Sequence, residues 1–358
     1  MRQRNIIYIV LTCILLYILY NNNIENFQDM NYYIPSNNAN QYSIKPDAIF
    51  ISIATYRDDE CPLTIKEIYS KAKKPENIYI GICQQNGSKD IDCYTIDSDS
   101  YSDNIRKYKL DSTYAKGPTY ARFICSTMWE GEEYFMQIDS HTKFVENWDV
   151  ELIEMLNKCP SLKSTISCYP IAGDQKDLID THVPYTCRSS FNSDNMIVPG
   201  AALISKTEDL RQVPFMSAGF FFLRGDFLKT VPFDPYLPYL FHGEEILFSA
   251  RLWTHGYDFY CPTKNICIHH YGRNEKPKFW NDHSKWKDIE KKSLDRAKYI
   301  LNWLKLEDLE KEFNIDIEQY GLGKERTIDE YHKFAGVDFE NKKGEDFCSK
   351  TYIDGNWK

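Results

Sequence analysis

An aspartate and a histidine, Asp139 and His141, stand two residues apart just after the apolar run Tyr134-Phe135-Met136. This pattern predicts a short buried strand followed by a turn, with both side chains leaving the strand end on the same side. A carboxylate oxygen and an imidazole nitrogen together suit Mn²⁺, which accepts mixed oxygen and nitrogen ligands. The pair therefore predicts a metal site, with simple hydrogen bonding of the turn as the alternative.

A third ligand is expected from a distant part of the chain. The segment 265–271 predicts a strand that ends in the pair His269 and His270. A site with two protein ligands needs another protein group or open positions that a phosphate fills. Either histidine is a candidate for this role, although a histidine pair at a strand end is more often structural.

Two further segments have side chains that suit a nucleotide. Thr55, Tyr56 and Arg57 follow the first predicted strand, where a tyrosine ring can stack on a base and an arginine can meet a phosphate. Arg122 lies in a predicted helix that begins after Gly117-Pro118, and we expect it to face a diphosphate or to support Asp139. The alternatives are a salt-bridged turn for the first segment and a surface ion pair for Arg122.

Small and acidic residues further along the chain are suited to binding a sugar. The run Ser217-Ala218-Gly219 would let the backbone approach a sugar ring closely. Glu244 and Glu245 open an apolar helix, from which they can hydrogen-bond sugar hydroxyls. The alternative for both glutamates is that they only stabilise the N-terminal end of the helix dipole.

The elements that must position these residues indicate an α/β protein. The apolar run 48–54 predicts a strand buried on both faces, and a helix over 64–73 and a strand over 78–83 follow it. Strand, helix and strand in so short a stretch make a βαβ unit with parallel strands. Further helices are predicted over 120–129, 150–157, 246–253 and 285–304, and residues 173–198 are predicted to form an exposed polar excursion.

The composition narrows the class of protein. The 358 residues include 52 acidic and 43 basic side chains, a net charge of -9, which argues against a nucleic-acid partner. Of the 11 cysteines, one lies in the apolar N-terminal run. The other ten permit disulfides in an oxidising compartment, with buried free thiols as the alternative, and no Cys-X-X-Cys pair points to structural zinc.

The N-terminal residues predict a membrane anchor. Arg2 and Arg4 precede an uncharged run, 6–20, somewhat shorter than the ~20 residues of a usual span. No small-residue cleavage site follows, so an uncleaved anchor is favoured over a cleaved signal peptide or a peripheral hydrophobic tail. Because basic residues stay in the cytosol, we expect a single-pass type II protein with the rest of the chain on the far side of the membrane, in the lumen of the Golgi or the endoplasmic reticulum.

Four regions are therefore predicted. They are a cytosolic tail with the membrane anchor (1–20), a polar stem (21–46), a catalytic domain (47–275) and a helical C-terminal extension (276–358).

Several segments in order resemble one family, the polypeptide N-acetylglucosaminyltransferases that modify hydroxyproline on a cytosolic protein or Thr and Ser on mucin-like proteins. The resemblance runs from about residue 48 to 340 and is carried by segments 51–62, 117–122, 131–141, 242–245, 320–323 and 326–339. The N-terminal anchor departs from the cytosolic branch and fits the membrane-anchored one, which leaves the acceptor residue open.

The resemblance implies a GT-A fold with a mostly parallel, Rossmann-like sheet, a UDP-GlcNAc donor, Mn²⁺ and retention of configuration. It implies that Asp139, His141 and His269 bind the metal, with His270 as the alternative to His269. By position, Thr55, Tyr56 and Arg57 would hold the uridine end with Arg122 nearby. The remaining candidates would line the sugar and the acceptor, namely Ser217, Ala218, Gly219, Glu244 and Glu245.

Other functions stay open at the level of sequence. A different UDP-hexose donor is the nearest alternative, because one hydroxyl or acetyl contact decides the sugar. A sugar-nucleotide or metal-dependent hydrolase would show cleavage without transfer to an acceptor. A membrane-tethered glycan-binding protein without catalysis is disfavoured by the complete set of candidate metal ligands.

Overall fold

A computed structural model of the protein describes residues 33–95 and 101–358. The predicted anchor over 1–20 lies outside these residues. Within the described ranges, no helix is both long enough and apolar enough to cross a membrane.

Eight strands form one mixed sheet, in the order β10-β12-β6-β11-β4-β1-β2-β3. Six of them run in parallel, while β11 is antiparallel to both of its neighbours and β10 is antiparallel to β12. Their bounds are β1 Lys45–Tyr56, β2 Ile78–Asn86, β3 Ile105–Asp111, β4 Glu132–Asp139, β6 Ser164–Ser167, β10 Arg211–Gln212, β11 Phe220–Arg224 and β12 Asp258–Cys261.

Smaller sheets surround this one. A three-stranded sheet has the order β5-β13-β7, and three separate two-stranded sheets are formed by β8-β9, β14-β15 and β16-β17. Their bounds are β5 Thr142–Phe144, β7 Ile171–Ala172, β8 His182–Phe191, β9 Ile197–Ser205, β13 Cys267–His269, β14 Val337–Asp338, β15 Lys343–Gly344, β16 Tyr352–Ile353 and β17 Asn356–Trp357.

Eight α-helices connect and cover the strands in the described ranges. Their bounds are α1 Cys61–Lys71, α2 Pro118–Ser126, α3 Trp148–Asn157, α4 Glu244–Thr254, α5 Phe279–Asp282, α6 Trp286–Ile300, α7 Ile317–Tyr320 and α8 Ile328–Ala335. The predicted helices are present, with ends that differ by a few residues. The helix predicted to reach 304 stops at Ile300, because Asn302 has a left-handed backbone with φ 61°.

Both faces of the central sheet are buried, which explains its continuous apolar strands. In β1, Ile49, Ile51 and Ile53 face the core cluster that includes Ile65 of α1 and Leu152 of α3. The aromatic residues Phe135 and Phe221 point to the other face, where Phe221 packs on Phe248 of α4 with ring centroids 5.8 Å apart. Helices therefore cover both sides of the sheet, and the α/β prediction is confirmed.

The prediction of an exposed excursion over 173–198 is wrong for its second half. Residues 182–191 form β8 and pair with β9, and Val183, Tyr185 and Cys187 of β8 are buried. Pro184 and Thr186, which lie between these apolar residues, are buried as well, so the polar mean composition of the segment conceals a run that is buried on both faces. A disulfide joins Cys187 to Cys348 and attaches the C-terminal hairpins to β8.

Candidate active site

A cavity of about 600 Å³ opens at the carboxyl ends of β1 and β4. This is the edge at which open α/β sheets bind their ligands. Ten of the predicted site residues line it, namely Tyr56, Arg122, Asp139, His141, Ala218, Gly219, Glu244, Glu245, His269 and the alternative ligand His270. Thr55, Arg57 and Ser217 are not among the lining residues.

Asp139, His141 and His269 form a group that could hold a metal ion, with one ligand atom from each within 4.8 Å of the others. The Nε2 atom of His269 lies 3.1 Å from Asp139 Oδ2. His270, in contrast, is exposed and contacts Glu60 at 2.8 Å. The structure thus brings His269, and not its neighbour, to the Asp-X-His pair.

Local turns and a long-range strand pairing together build this group. Asp139 is the last residue of β4, and the Thr142 hydroxyl donates to its carbonyl oxygen at 2.8 Å, which closes the turn that carries His141. β5 then pairs with β13 so that Thr142 stands opposite His269. His269 therefore reaches Asp139 across a small sheet, although 130 residues separate them in sequence.

Arg122 connects two carboxylates of the cavity. It contacts Asp139 Oδ1 at 3.0 Å and pairs with Glu244. Desolvation by itself would raise the pKa of Asp139, but the hydrogen bond from His269 and the charge of Arg122 hold this pKa well below its usual range. Desolvation outweighs the effect of Arg122 at Glu244, whose pKa is raised. Asp139 is accordingly held as a carboxylate, which is the form that binds metals.

The Glu245 carboxylate is held in place by two hydrogen bonds. It accepts a hydrogen bond from the Ala218 amide at 2.9 Å and another from the Tyr169 hydroxyl. Burial raises the pKa of Glu245 to about 7 in spite of these two donors. Gly243 precedes both glutamates with φ 108°, a left-handed conformation that favours glycine, and it turns the chain into α4.

The small residues lie beside Asp139 because β11 pairs with β4. Phe220 stands opposite Ile138, so Gly219 comes next to Asp139, and a Cβ atom at Gly219 would lie 3.2 Å from Asp139 Oδ2. The Gln137 side chain donates to the Ala218 carbonyl at 2.7 Å and supports this segment. Ser217 is buried and does not line the cavity.

The predicted uridine residues have other partners in this structure. The Tyr56 hydroxyl donates to Asp282, and Arg57 pairs with Asp90 at 2.9 Å and with Asp282 at 2.8 Å. Thr55 is buried. Of the three, only Tyr56 lines the cavity, and the uridine role of this segment stays a prediction.

Sequence reasoning assigned no role to several other residues that line the cavity, among them Asp58, Tyr169, Tyr271 and Arg273. Asp58 contacts His141, while the Tyr271 ring lies on His269 with centroids 4.1 Å apart. Asp58 and Tyr271 lie within segments 51–62 and 265–271, close to candidate site residues, so their position was a usable signal. Nothing in the sequence pointed to Tyr169 or Arg273.

The arrangement fits a divalent cation by the chemistry of its donor set. It combines one carboxylate and two imidazoles, which suits Mn²⁺. The close approach of Gly219 leaves space beside Asp139 that any side chain would fill. Arg122, Arg273 and Lys278 also line the cavity, and their positive charges suit an anionic ligand such as a diphosphate.

A solved structure with low sequence identity to this chain shares its fold. GalNAc-T7, solved with UDP, GalNAc and Mn²⁺, has 11% identical residues, and the match covers 80% of this chain and 56% of that chain with a TM-score of 0.53. The chain thus spans little more than half the length of that protein. S. aureus TarS 1–349, solved with UDP-GlcNAc, has 13% identical residues, with 73% and 77% of the two chains covered and a TM-score of 0.42. No curated protein sequence matches the chain. The likeness to GalNAc-T7 shows a GT-A fold.

The family is shown by the sequence itself. A family model described as Glycosyltransferase (GlcNAc) matches residues 48–102 and 97–341. These segments cover most of the chain and include the three candidate metal ligands and both glutamates of α4. The chain therefore belongs to the Glycosyltransferase (GlcNAc) family.

Proposed function

We propose that the protein transfers GlcNAc from UDP-GlcNAc to a hydroxyl of Thr, Ser or hydroxyproline in a protein acceptor, with retention of configuration. Asp139, His141 and His269 would hold a divalent cation, Mn²⁺ in the first instance. The observation that carries the proposal is this ligand group in the wall of a cavity of about 600 Å³. The family membership supports the sugar, and GalNAc-T7, a protein of the same fold, was solved with UDP and Mn²⁺.

The chemical problem is the departure of the diphosphate. The bond between the anomeric carbon and the UDP oxygen breaks, the acceptor oxygen bonds to that carbon, and the acceptor proton passes to the departing phosphate. A bound cation supplies Lewis-acid stabilisation of the charge that grows on the diphosphate. Because the phosphate takes the proton, this reaction needs no general base from the protein.

The residues of the chain position the reactants. Arg122 holds Asp139 in its ionised form through a contact of 3.0 Å, and the Ala218-Gly219 backbone leaves room for a sugar ring. Glu244 and Glu245 border the same space and have oxygens that can accept hydrogen bonds from sugar hydroxyls. Such positioning accounts for a large part of the rate in transfer reactions.

The test is donor turnover by the purified protein. UDP release would be measured with UDP-GlcNAc, UDP-GalNAc and UDP-glucose, each with Mn²⁺ or with EDTA, in the presence of Thr-rich and hydroxyproline-containing peptides. We expect release that needs the metal, is fastest with UDP-GlcNAc and adds the sugar mass to a peptide. Release without any glycosylated peptide would instead indicate a sugar-nucleotide hydrolase, and preference for another donor would overturn the assignment of GlcNAc.

We also propose that residues 1–20 anchor the protein as a type II membrane protein with its catalytic part in the Golgi or endoplasmic reticulum lumen. Two disulfides, Cys61–Cys93 and Cys187–Cys348, support an oxidising compartment, because disulfides are rare in the cytosol. Carbonate extraction and protease protection of microsomes that contain the full chain would test this. We expect a membrane-bound protein that protease degrades only after detergent is added, and degradation without detergent would contradict the topology.

A further inference from the structure

Asp58 is a buried carboxylate on the turn after β1, and its side chain is 1% exposed. Its Oδ2 atom lies 2.9 Å from Nδ1 of His141 and accepts a hydrogen bond from the Ser140 hydroxyl at 2.6 Å. Parallel pairing of β1 with β4 places Ala54 opposite Asp139, so the turn that follows β1 reaches the turn that follows β4.

The contact with Asp58 bears on which nitrogen of His141 can bind a metal. A neutral imidazole has one N–H donor and one nitrogen with a free lone pair. A carboxylate only accepts, so a hydrogen bond to Asp58 requires the proton on Nδ1. The lone pair then lies on Nε2, which is the nitrogen left for a cation.

Arg273 favours the opposite arrangement. Its Nη1 atom lies 2.9 Å from the same Nδ1 of His141, and a guanidinium only donates. If Arg273 controlled this nitrogen, the proton would lie on Nε2 and no lone pair would face the cation. The choice between the two tautomers of His141 therefore depends on the Asp58 carboxylate.

We propose that Asp58 is a positioning residue that keeps the proton of His141 on Nδ1 and so presents Nε2 to the cation. The proposal rests on the metal site of the proposed function. Metal-binding histidines commonly donate their second N–H to a carboxylate, and loss of that partner costs about 10- to 100-fold in metal affinity or activity.

The partners of Asp58 make Asp58→Asn a sharp test. On the Oδ1 side, the Glu60 amide at 3.0 Å and the Arg273 guanidinium at 2.7 Å are both obligate donors. The oxygen of an asparagine is therefore held on that side, and its NH₂ group faces Ser140 and His141. Nδ1 of His141 then has to accept, which moves the proton to Nε2.

The first measurement uses Mn²⁺ alone as the probe. Binding to the full-length protein would be titrated by the electron paramagnetic resonance signal of free Mn²⁺. We expect Asp58→Asn to weaken binding about 10- to 100-fold. Asp149→Asn is the matched control, because Asp149 is another buried carboxylate, 2% exposed, whose hydrogen bonds come from the Lys73 and Lys74 amides and not from His141; its Mn²⁺ affinity should equal that of the wild type.

The second measurement needs no metal. Side-chain ¹⁵N spectra of histidine-labelled protein, with His141 assigned by comparison with His141→Gln, report which nitrogen carries the proton. We expect Nδ1–H in the wild type and Nε2–H in Asp58→Asn.

The two measurements separate the two hypotheses. An Nε2–H tautomer in the wild type, or unchanged Mn²⁺ affinity in a folded Asp58→Asn protein, would overturn the role of Asp58. Absence of Mn²⁺ binding by the wild type would instead overturn the metal site of the proposed function, and the spectra would still decide which tautomer Asp58 selects.

Discussion

Arg122 lies in contact with Asp139, its Nη2 atom 3.0 Å from Asp139 Oδ1, and only 8% of the arginine side chain is exposed. The same guanidinium pairs with Glu244. One buried cation thus links the end of β4, where the candidate metal ligand stands, to the first turn of α4. This link fixes the position of the proposed metal site relative to the proposed sugar site.

Removal of that cation should destabilise the protein. Arg122→Met would leave Asp139 and Glu244 without their buried partner, and breaking a buried ion pair typically costs about 3 kcal/mol. Lys305→Met is the control, because Lys305 pairs with Glu307 where 80% and 74% of the two side chains are exposed, and exposed pairs contribute about 1 kcal/mol or less. Denaturant unfolding would measure both, and equal losses would contradict the structural role of Arg122.

His269 and His270 provide a matched pair for the metal site. His269 belongs to the candidate ligand group, whereas His270 is exposed and contacts Glu60. His269→Ala should reduce Mn²⁺ affinity and turnover by about 100-fold, since it removes one of three protein ligands. His270→Ala should retain both. Calorimetric titration of Mn²⁺ and UDP release would be compared, and a larger loss in His270→Ala would mean that the wrong histidine has been assigned.

Gly219→Ala tests the space beside Asp139. The new Cβ would lie 3.2 Å from Asp139 Oδ2, so the carboxylate has to shift by a few tenths of an ångström. Because transfer depends on exact placement, we expect kcat to fall about tenfold without unfolding. Gly173→Ala is the control, since nothing lies within 4 Å of a Cβ atom there. Turnover equal to wild type in Gly219→Ala would show that this approach is not critical.

The stability of the metal-free protein should depend on the ionisation of Glu245. Burial raises the pKa of Glu245 to about 7 from 4.5, so the folded state favours the protonated form. This contribution is complete below pH 4.5 and is lost as pH rises through about 7, and the linkage limits it to about 3 kcal/mol.

Glu245→Gln removes this titration and keeps the shape of the side chain. Denaturant unfolding in EDTA would be compared for the two proteins from pH 4.5 to 8. The wild type should lose stability relative to the variant as pH rises, and a difference that stays constant with pH would contradict the raised pKa.

The secondary structure near the site was predictable from local pattern. The apolar runs of β1 and β4 are continuous because both faces of the sheet are covered. The helix that begins at Glu244 follows Gly243, whose left-handed backbone conformation favours glycine. The prediction for the segment around β8 is wrong because polar residues dominate its composition, whereas residues 183–187 are buried without interruption in the tertiary structure.

The sequence by itself determined which residues were available for the site. Asp139 and His141 come together through local structure alone, because a strand followed by a turn carries both of them. Tertiary structure decided their partners. The pairing of β5 with β13 selected His269 over His270, and the pairing of β11 with β4 placed Gly219 against Asp139. Arg57 took Asp90 and Asp282 as partners, and Asp58 met His141, through loops that are distant in sequence. Such contacts depend on strand register and on how distant loops are brought together. The local pattern of apolar and polar residues does not encode either of these.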